Sequence, residues 1–410
     1  MIQNPFRTFK NSNYLLYWFL NTFSLIGSWV DFTLRQWVIV EMIKSERLAS
    51  QYIGIYNLIR FVPSVFLSFF AGYLSDRVSV RLILFVISLV DFLNACLISY
   101  LIFTNNLNTI NFLILALFLG ITSSFYFPTR SKLINSIVKD KEDIPGYFSW
   151  QGISFNLSRI VGPIIAGYVA KYFGLSWGFV LNALSFVPLM IYLLFSNEIR
   201  SKDIDNFNHN KNDKNFIETL KTTLDYINSK RSIKKCFYSI FTVNFWGISL
   251  MSFLQVFTKE ILGAGISYFS FLMSCLGLGA MVGAFIVAST NYQVILSFRE
   301  EFFILIYGLL ILVLSFLPKF SIFIVFFIGV FQALTFGFTN NKVQLLTDSE
   351  VLGKVMGIYS MFNISLSYFG VFCISQIGYI LGVLNLFKIV SLFIILSALF
   401  IGIRAKEGLL

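Results

Sequence analysis

The sequence predicts an all-α polytopic membrane protein with twelve transmembrane helices in two pseudo-symmetric six-helix bundles, and three observations carry that reading. Hydrophobic residues make up 57% of the 410 and charged residues only 12%, roughly half the charged share of an average soluble domain. Apolar runs of about 20 residues, the length a helix needs to cross a hydrocarbon core about 30 Å thick, recur from end to end. Short motifs near the end of the first half return in the same order near the end of the second.

The apolar runs place spans near 14–42, 50–74, 81–103, 109–135, 145–172 and 176–196, and again near 236–262, 266–290, 301–317, 320–345, 353–382 and 384–403. Runs such as Phe302 to Leu317 are apolar on every face, which excludes the period-two alternation of a membrane β-barrel. The first run, Tyr14 to Val40, is far longer than the core of a cleaved signal peptide and is expected to stay in the mature protein. Residues 197–235 are rich in Lys, Asn and Asp, hold the only histidine, His209, and lack a spanning run. They divide the chain into an N-terminal bundle (1–196), a cytoplasmic linker (197–235) and a C-terminal bundle (236–410).

The repeat supports two equivalent halves. Phe155-Asn156-Leu157-Ser158 in span five returns as Phe362-Asn363-Ile364-Ser365 in span eleven, and Gly146-Tyr147-Phe148-Ser149 returns as Gly357-Ile358-Tyr359-Ser360. A tandem duplication of six-helix units gives that order.

Orientation follows from the basic residues of short loops, which stay cytoplasmic. With the N-terminus inside, the inner segments hold Arg7, Lys10, Arg77, Arg81, Lys132, Lys139, Lys141, Arg299, Lys342, Arg404, Lys406 and the basic linker. The outer loops keep only Lys44, Arg47, Lys171, Lys259 and Lys319. Both termini are therefore expected in the cytoplasm, and the net charge of +11 reads as this asymmetry rather than as a nucleic-acid surface. The four cysteines, Cys96, Cys236, Cys275 and Cys373, stand singly without metal or disulfide spacing and read as small core residues.

The strongest local motif is Gly72-Tyr73-Leu74-Ser75-Asp76-Arg77-Val78-Ser79-Val80-Arg81, in the inner loop between spans two and three. Glycine permits close helix approach, and Asp76 suits capping of span three and pairing with nearby arginines. Gly72, Asp76, Arg77 and Arg81 thus form a candidate conformational latch. The pattern resembles the loop signature of the major facilitator superfamily, with Ser79 where that signature usually has its second glycine.

The resemblance continues through Gly27-Ser28-Trp29, Gln36-Trp37, Pro63, Phe127-Pro128-Thr129-Arg130, Asn156 to Gly167 and Asn182-Ala183-Leu184-Ser185-Phe186. Together these are similar to the branch of enterobactin-type siderophore exporters and macrolide-efflux permeases. The likeness is weaker in the second half, resting on Gly277, Gly279, Gly283 and Gly353-Lys354-Val355-Met356. It implies secondary active export by a monomer, without a cofactor. Gly162, Pro163 and Gly167 match part of the span-five motif that marks exporters, with Ser149 and Ser158 where the full pattern has glycines. Physically they are a candidate hinge, because proline removes a backbone hydrogen bond and glycine permits close packing.

Charges inside predicted spans are costly unless paired or wet and therefore point to function. The set is Asp31, Arg35, Arg60, Asp91, Arg130 and Arg159. Asp31 and Arg35 are four apart and share a helix face. In the resembled family span one lines the central cavity and span three lies outside it, so Asp31 with Arg35 is favoured over Asp91 for proton coupling. Arg60, Arg130, Asn156 and Arg159 are candidates for meeting substrate or relaying charge. Trp18, Phe19, Tyr126, Phe127, Trp150, Phe155, Trp246 and Phe253 are candidate linings of an amphipathic substrate site.

No phosphate-binding G-x-x-x-x-G-K-[ST] loop is present, which argues against an ATP-driven pump. The single histidine argues against a membrane-embedded enzyme. The expected partners are a small-molecule substrate, the proton and the lipid bilayer, in a bacterial inner membrane. Siderophore or drug export, lysophospholipid flipping and solute uptake all fit this fold, and the residues leave the choice open.

Overall fold

The computed structural model describes residues 8–9, 11–75, 78–137, 144–195, 216–348 and 350–406. The first six helices are α1 (Ser12–Met42), α2 (Glu46–Ser75), α3 (Val80–Phe103), α4 (Thr109–Ile137), α5 (Ile144–Tyr172) and α6 (Leu175–Phe195). A shorter helix, α7 (Phe216–Ser229), lies in the stretch expected as linker. Then come α8 (Arg231–Ile261), α9 (Ile266–Ala288), the short α10 (Tyr292–Ser297), α11 (Glu300–Phe316), α12 (Ser321–Leu346), α13 (Leu352–Leu381) and α14 (Val383–Lys406).

Leaving aside α7 and α10, these are the twelve spans. Among the described residues, nine are long and apolar enough to cross a membrane on length and composition. Of the others, α1 carries Asp31, Arg35 and Glu41, α2 opens on Glu46 and Arg47, and α11 has 17 residues and opens on Glu300 and Glu301. At about 1.5 Å per residue, the 31 residues of α1 reach about 46 Å. That length crosses the hydrocarbon and leaves turns for the interfaces.

Local chemistry sets the ends. The Ser79 hydroxyl caps α3 by accepting from the amide of Leu82 at 3.4 Å. Ser79 thus caps span three, and the expected role of Asp76 lies, with Arg77, outside the described residues. Gly174 (φ +96°) separates α5 from α6, and Gly382 (φ +80°) separates α13 from α14, at backbone angles that favour glycine. Pro63, Pro128, Pro163 and Pro188 sit inside α2, α4, α5 and α6. The expectation of four core cysteines is corrected: Cys236 is buried, Cys275 and Cys373 are half-buried, and Cys96 is exposed.

By contact the chain forms two compact units, Met1–Val38 with Ile59–Asn210, and Ile39–Leu58 with Lys211–Leu410. In the first unit, glycines let α1 approach its neighbours. A Cβ on Gly27 would stand 2.0 Å from Ser185 Oγ of α6, and one on Gly162 of α5 would stand 2.4 Å from the Trp29 Cβ. Aromatic packing of Phe9, Tyr14, Trp18, Tyr147 and Trp150 closes one end of this unit.

In the second unit α9 and α12 nearly touch. A Cβ on Gly279 would lie 2.0 Å from the Phe326 carbonyl, and one on Gly329 would lie 2.2 Å from that of Leu276. The turn between α1 and α2 belongs here: Glu46 accepts from the amide of Val383, and Lys259 donates to the carbonyl of Val40. Helix α8 passes through wide π-turns at Thr242–Ile248 and Phe257–Ile261. There the Ser249 hydroxyl reaches the carbonyls of Asn244 and Ser367, and the Asn244 amide donates to Asn363 Oδ1 at 2.9 Å.

Candidate functional site

A buried ion pair on α1 is the centre of the first unit. Arg35 Nε donates to Asp31 Oδ2 at 2.7 Å. Its Nη2 donates to Asn94 Oδ1 of α3 at 2.7 Å, and Asn94 Nδ2 donates in turn to the Leu115 carbonyl of α4 at 2.9 Å. The guanidinium stands 5.5 Å from the Phe179 ring of α6. That approach is possible because Gly178 leaves room for Leu34; a Cβ there would lie 2.3 Å from a Leu34 methyl. Four helices thus converge on one arginine, which is fully buried.

The pair is incompletely satisfied. Asp31 Oδ1 and Arg35 Nη1 are buried without a hydrogen-bond partner among the described residues. Such atoms carry a full desolvation cost and gain most from a proton, a water or a ligand group.

Asp91 sits one turn before Asn94 on α3, and its Oδ1 accepts from Thr122 Oγ1 of α4 at 2.7 Å. Arg60 lies 5.8 Å from the Phe32 ring, on a stretch of α2 where a Cβ at Gly120 would meet the Arg60 carbonyl at 2.3 Å. Arg130 is buried 5.6 Å from the Tyr126 ring, with Nε and Nη2 unbonded among the described residues. The Asn156 amide donates back to the Gly152 carbonyl at 3.0 Å, and Arg159 is half-buried on α5. Gly162, Pro163 and Gly167 are buried within an unbroken α5. Arg81 donates to the Leu194 carbonyl at the end of α6 at 3.4 Å. Gly72 falls within α2.

Of the expected aromatic lining, Trp18 packs against both Phe19 and Trp150 in the first unit, with ring centroids 5.0 and 5.5 Å apart, whereas Trp246 and Phe253 belong to the second unit. Trp18 donates to the Trp150 carbonyl at 2.9 Å, Trp246 stacks on Phe393 at 4.8 Å, Phe253 is fully buried and Phe19 is exposed.

Several residues of this geometry escaped the sequence reading. Asn94 and Thr122 complete the network around Asp31 and Asp91, and a polar residue in a strongly apolar helix is the signal that would have found them. Asn21 bridges Tyr126 at 3.1 Å and Gln151 at 3.4 Å. In the second unit, Lys235 lies 3.3 Å from Glu300 and 2.7 Å from Glu301, Lys342 lies 2.7 Å from Glu300, and Arg299 lies 2.9 Å from Glu301. Among the described residues no cluster of His, Cys, Asp or Glu suits a metal ion.

Twelve spanning helices, several with charged residues inside them, define a polytopic membrane protein. The chain matches the Major Facilitator Superfamily over residues 15–370 and belongs to that family. It is 22% identical over 274 residues to the staphyloferrin A transporter of Staphylococcus aureus (strain NCTC 8325 / PS 47), a match that spans 66% of each chain. In fold it is similar to a bacterial homolog of the human lysosomal transporter Spinster in an inward-facing, unoccupied conformation, with TM-score 0.72, 12% identity and 98% coverage of both chains. It is also similar to a POT family transporter in complex with a thioalcohol-conjugated peptide (TM-score 0.72, 15% identity, 96% of both chains) and to a D-xylose-proton symporter (TM-score 0.65, 12% identity, 95% of both chains). Membership of that family makes the chain a transport protein rather than an enzyme.

Proposed function

We propose that the protein is a proton-coupled exporter of a medium-sized amphipathic compound, of the siderophore or drug kind, working by alternating access of its two halves. The observation that carries this reading is the buried Asp31–Arg35 pair, with one oxygen and one nitrogen left without partners. A proton on Asp31 cancels the carboxylate charge and loosens its hold on Arg35, which Asn94 still anchors to α3 and α4. The change in charge on α1 thereby becomes a change in the force between α1 and its neighbours.

The remaining site residues fall into roles around this switch. Gly72, Asp76, Arg77 and Arg81 act as the latch, Arg60, Arg130, Asn156 and Arg159 meet substrate or relay charge, and Gly162, Pro163 and Gly167 act as the hinge. Arg130 is the candidate to meet an anionic substrate, because two of its nitrogens are buried and unbonded among the described residues. The substrate class rests on the similarity to a staphyloferrin A transporter. The protein acts as a monomer in a bacterial inner membrane with both termini cytoplasmic.

The test is compound release by a deletion strain under iron limitation, followed by mass spectrometry of the medium, with wild-type and Asp31→Asn copies. A chelator that is retained in the deletion strain and exported again only with the wild-type copy supports both substrate and coupling. Normal export with Asp31→Asn removes Asp31 from the mechanism. Unchanged release by the deletion strain removes the siderophore and turns the search to drugs and lysophospholipids.

A further inference from the structure

The charge cluster of the second unit is unbalanced. Glu300 is shared by Lys235 and Lys342, and Glu301 is shared by Lys235 and Arg299, so among the described residues three cations face two carboxylates. Lys235, Lys342 and Glu300 are shielded, whereas the Arg299 side chain is 58% exposed and engages Glu301 through Nε. The surplus positive charge therefore emerges at the two Nη groups of Arg299.

Arg299 also lines a cavity of about 570 Å³ between α11 and α14. Phe302, Leu305, Leu399 and Ile403 line it on the apolar side, and Ser297, Arg299 and Glu301 are the polar residues of the lining. The two helices run antiparallel: Gly402 packs against the Glu301 side chain, and Gly308 packs against Ile394 and Ile395. The charged residues of the lining thus lie at the start of one span and beside the end of another, the level at which a lipid headgroup sits when these helices cross a bilayer, while the apolar residues run along the spans.

We infer that this groove holds one phospholipid with an anionic headgroup, its phosphate on Arg299 and an acyl chain along Phe302, Leu305, Leu399 and Ile403. An anion there balances the cluster that ties together the ends of α8, α11 and α12. The apolar walls select a lipid over a free anion, because a soluble phosphate leaves them uncovered.

The test is native mass spectrometry of the full-length protein released from bilayers of equal parts dioleoylphosphatidylglycerol and dioleoylphosphatidylcholine. The expected result is a bound-lipid ratio favouring phosphatidylglycerol about fivefold, the effect of one basic residue at an anionic surface. Arg299→Gln brings the ratio to unity, whereas Lys319→Gln, beyond the opposite end of α11, leaves it unchanged. Leu399→Trp fills the apolar wall without touching the cluster and removes the bound lipid, which keeps the test valid if Arg299→Gln fails to fold. Equal retention of both lipids, a preference that survives either groove variant, or displacement of the lipid by millimolar inorganic phosphate overturns the inference.

Discussion

At the residue scale, the Asp31–Arg35 pair was legible because two charges four apart in an apolar run share a helix face, and few arrangements make such burial tolerable. What the spacing could not reveal is the third partner. Asn94 lies 59 residues from Arg35, and a contact of that separation depends on how α1, α3 and α4 pack. The same limit hid the second charge cluster: Arg299 and Lys342 counted as inner-surface charges and Lys235 as linker, while Glu300 joins them only in three dimensions. Breaking a buried pair costs more than removing it whole. Arg35→Met strands Asp31 and is expected to cost about 3 to 5 kcal/mol, whereas removal of both charges leaves no orphan. Thermal unfolding in detergent should show Arg35→Met well below wild type and Asp31→Leu/Arg35→Met close to it, with the double variant inactive in transport. A double variant as unstable as the single one would mean that the pair is not the source of the cost.

At the element scale, span positions were legible and helix irregularity was not. The expected seventh span began at 236, but α8 begins at Arg231 and includes two π-turns, at the first of which Asn244 and Ser249 bond to Asn363 and Ser367 on α13, contacts that its own composition does not announce. The glycines of α9 were noticed as family marks, and packing gives them a physical reason. Gly279 meets the backbone of α12 where any Cβ would stand 2.0 Å from a carbonyl oxygen, whereas Gly152 on α5 has nothing within 4 Å of its Cβ position. Small residues at such crossings are what let membrane helices associate when lipid is as apolar as any side chain. Gly279→Leu should therefore abolish recovery of folded protein from membranes. Gly152→Ala should match wild type or gain about 0.5 to 1 kcal/mol, since alanine is the better helix former. Equal recovery of the two variants would show that the α9–α12 approach is not close.

At the scale of the whole molecule, the twelve spans followed from hydropathy because every backbone polar group in hydrocarbon must be satisfied within its own helix. The division into units was less legible. The turn between α1 and α2 groups with the second unit through Glu46 and Lys259, contacts that no local pattern announces. Orientation is a further property of the whole chain, set by where lysine and arginine accumulate. On the proposed topology, with basic loops and both termini retained inside, a reporter joined after Leu410 should behave as a cytoplasmic one. Green fluorescent protein fused there should fluoresce in cells and alkaline phosphatase should be inactive. Alkaline phosphatase inserted at Leu107, in the turn between α3 and α4, should be active. The opposite pattern would put Arg299, Arg404 and the basic loops on the outer face. The proton entering from outside would then reach Asp31 from the other end of α1, and the direction proposed for transport would have to be reversed with it.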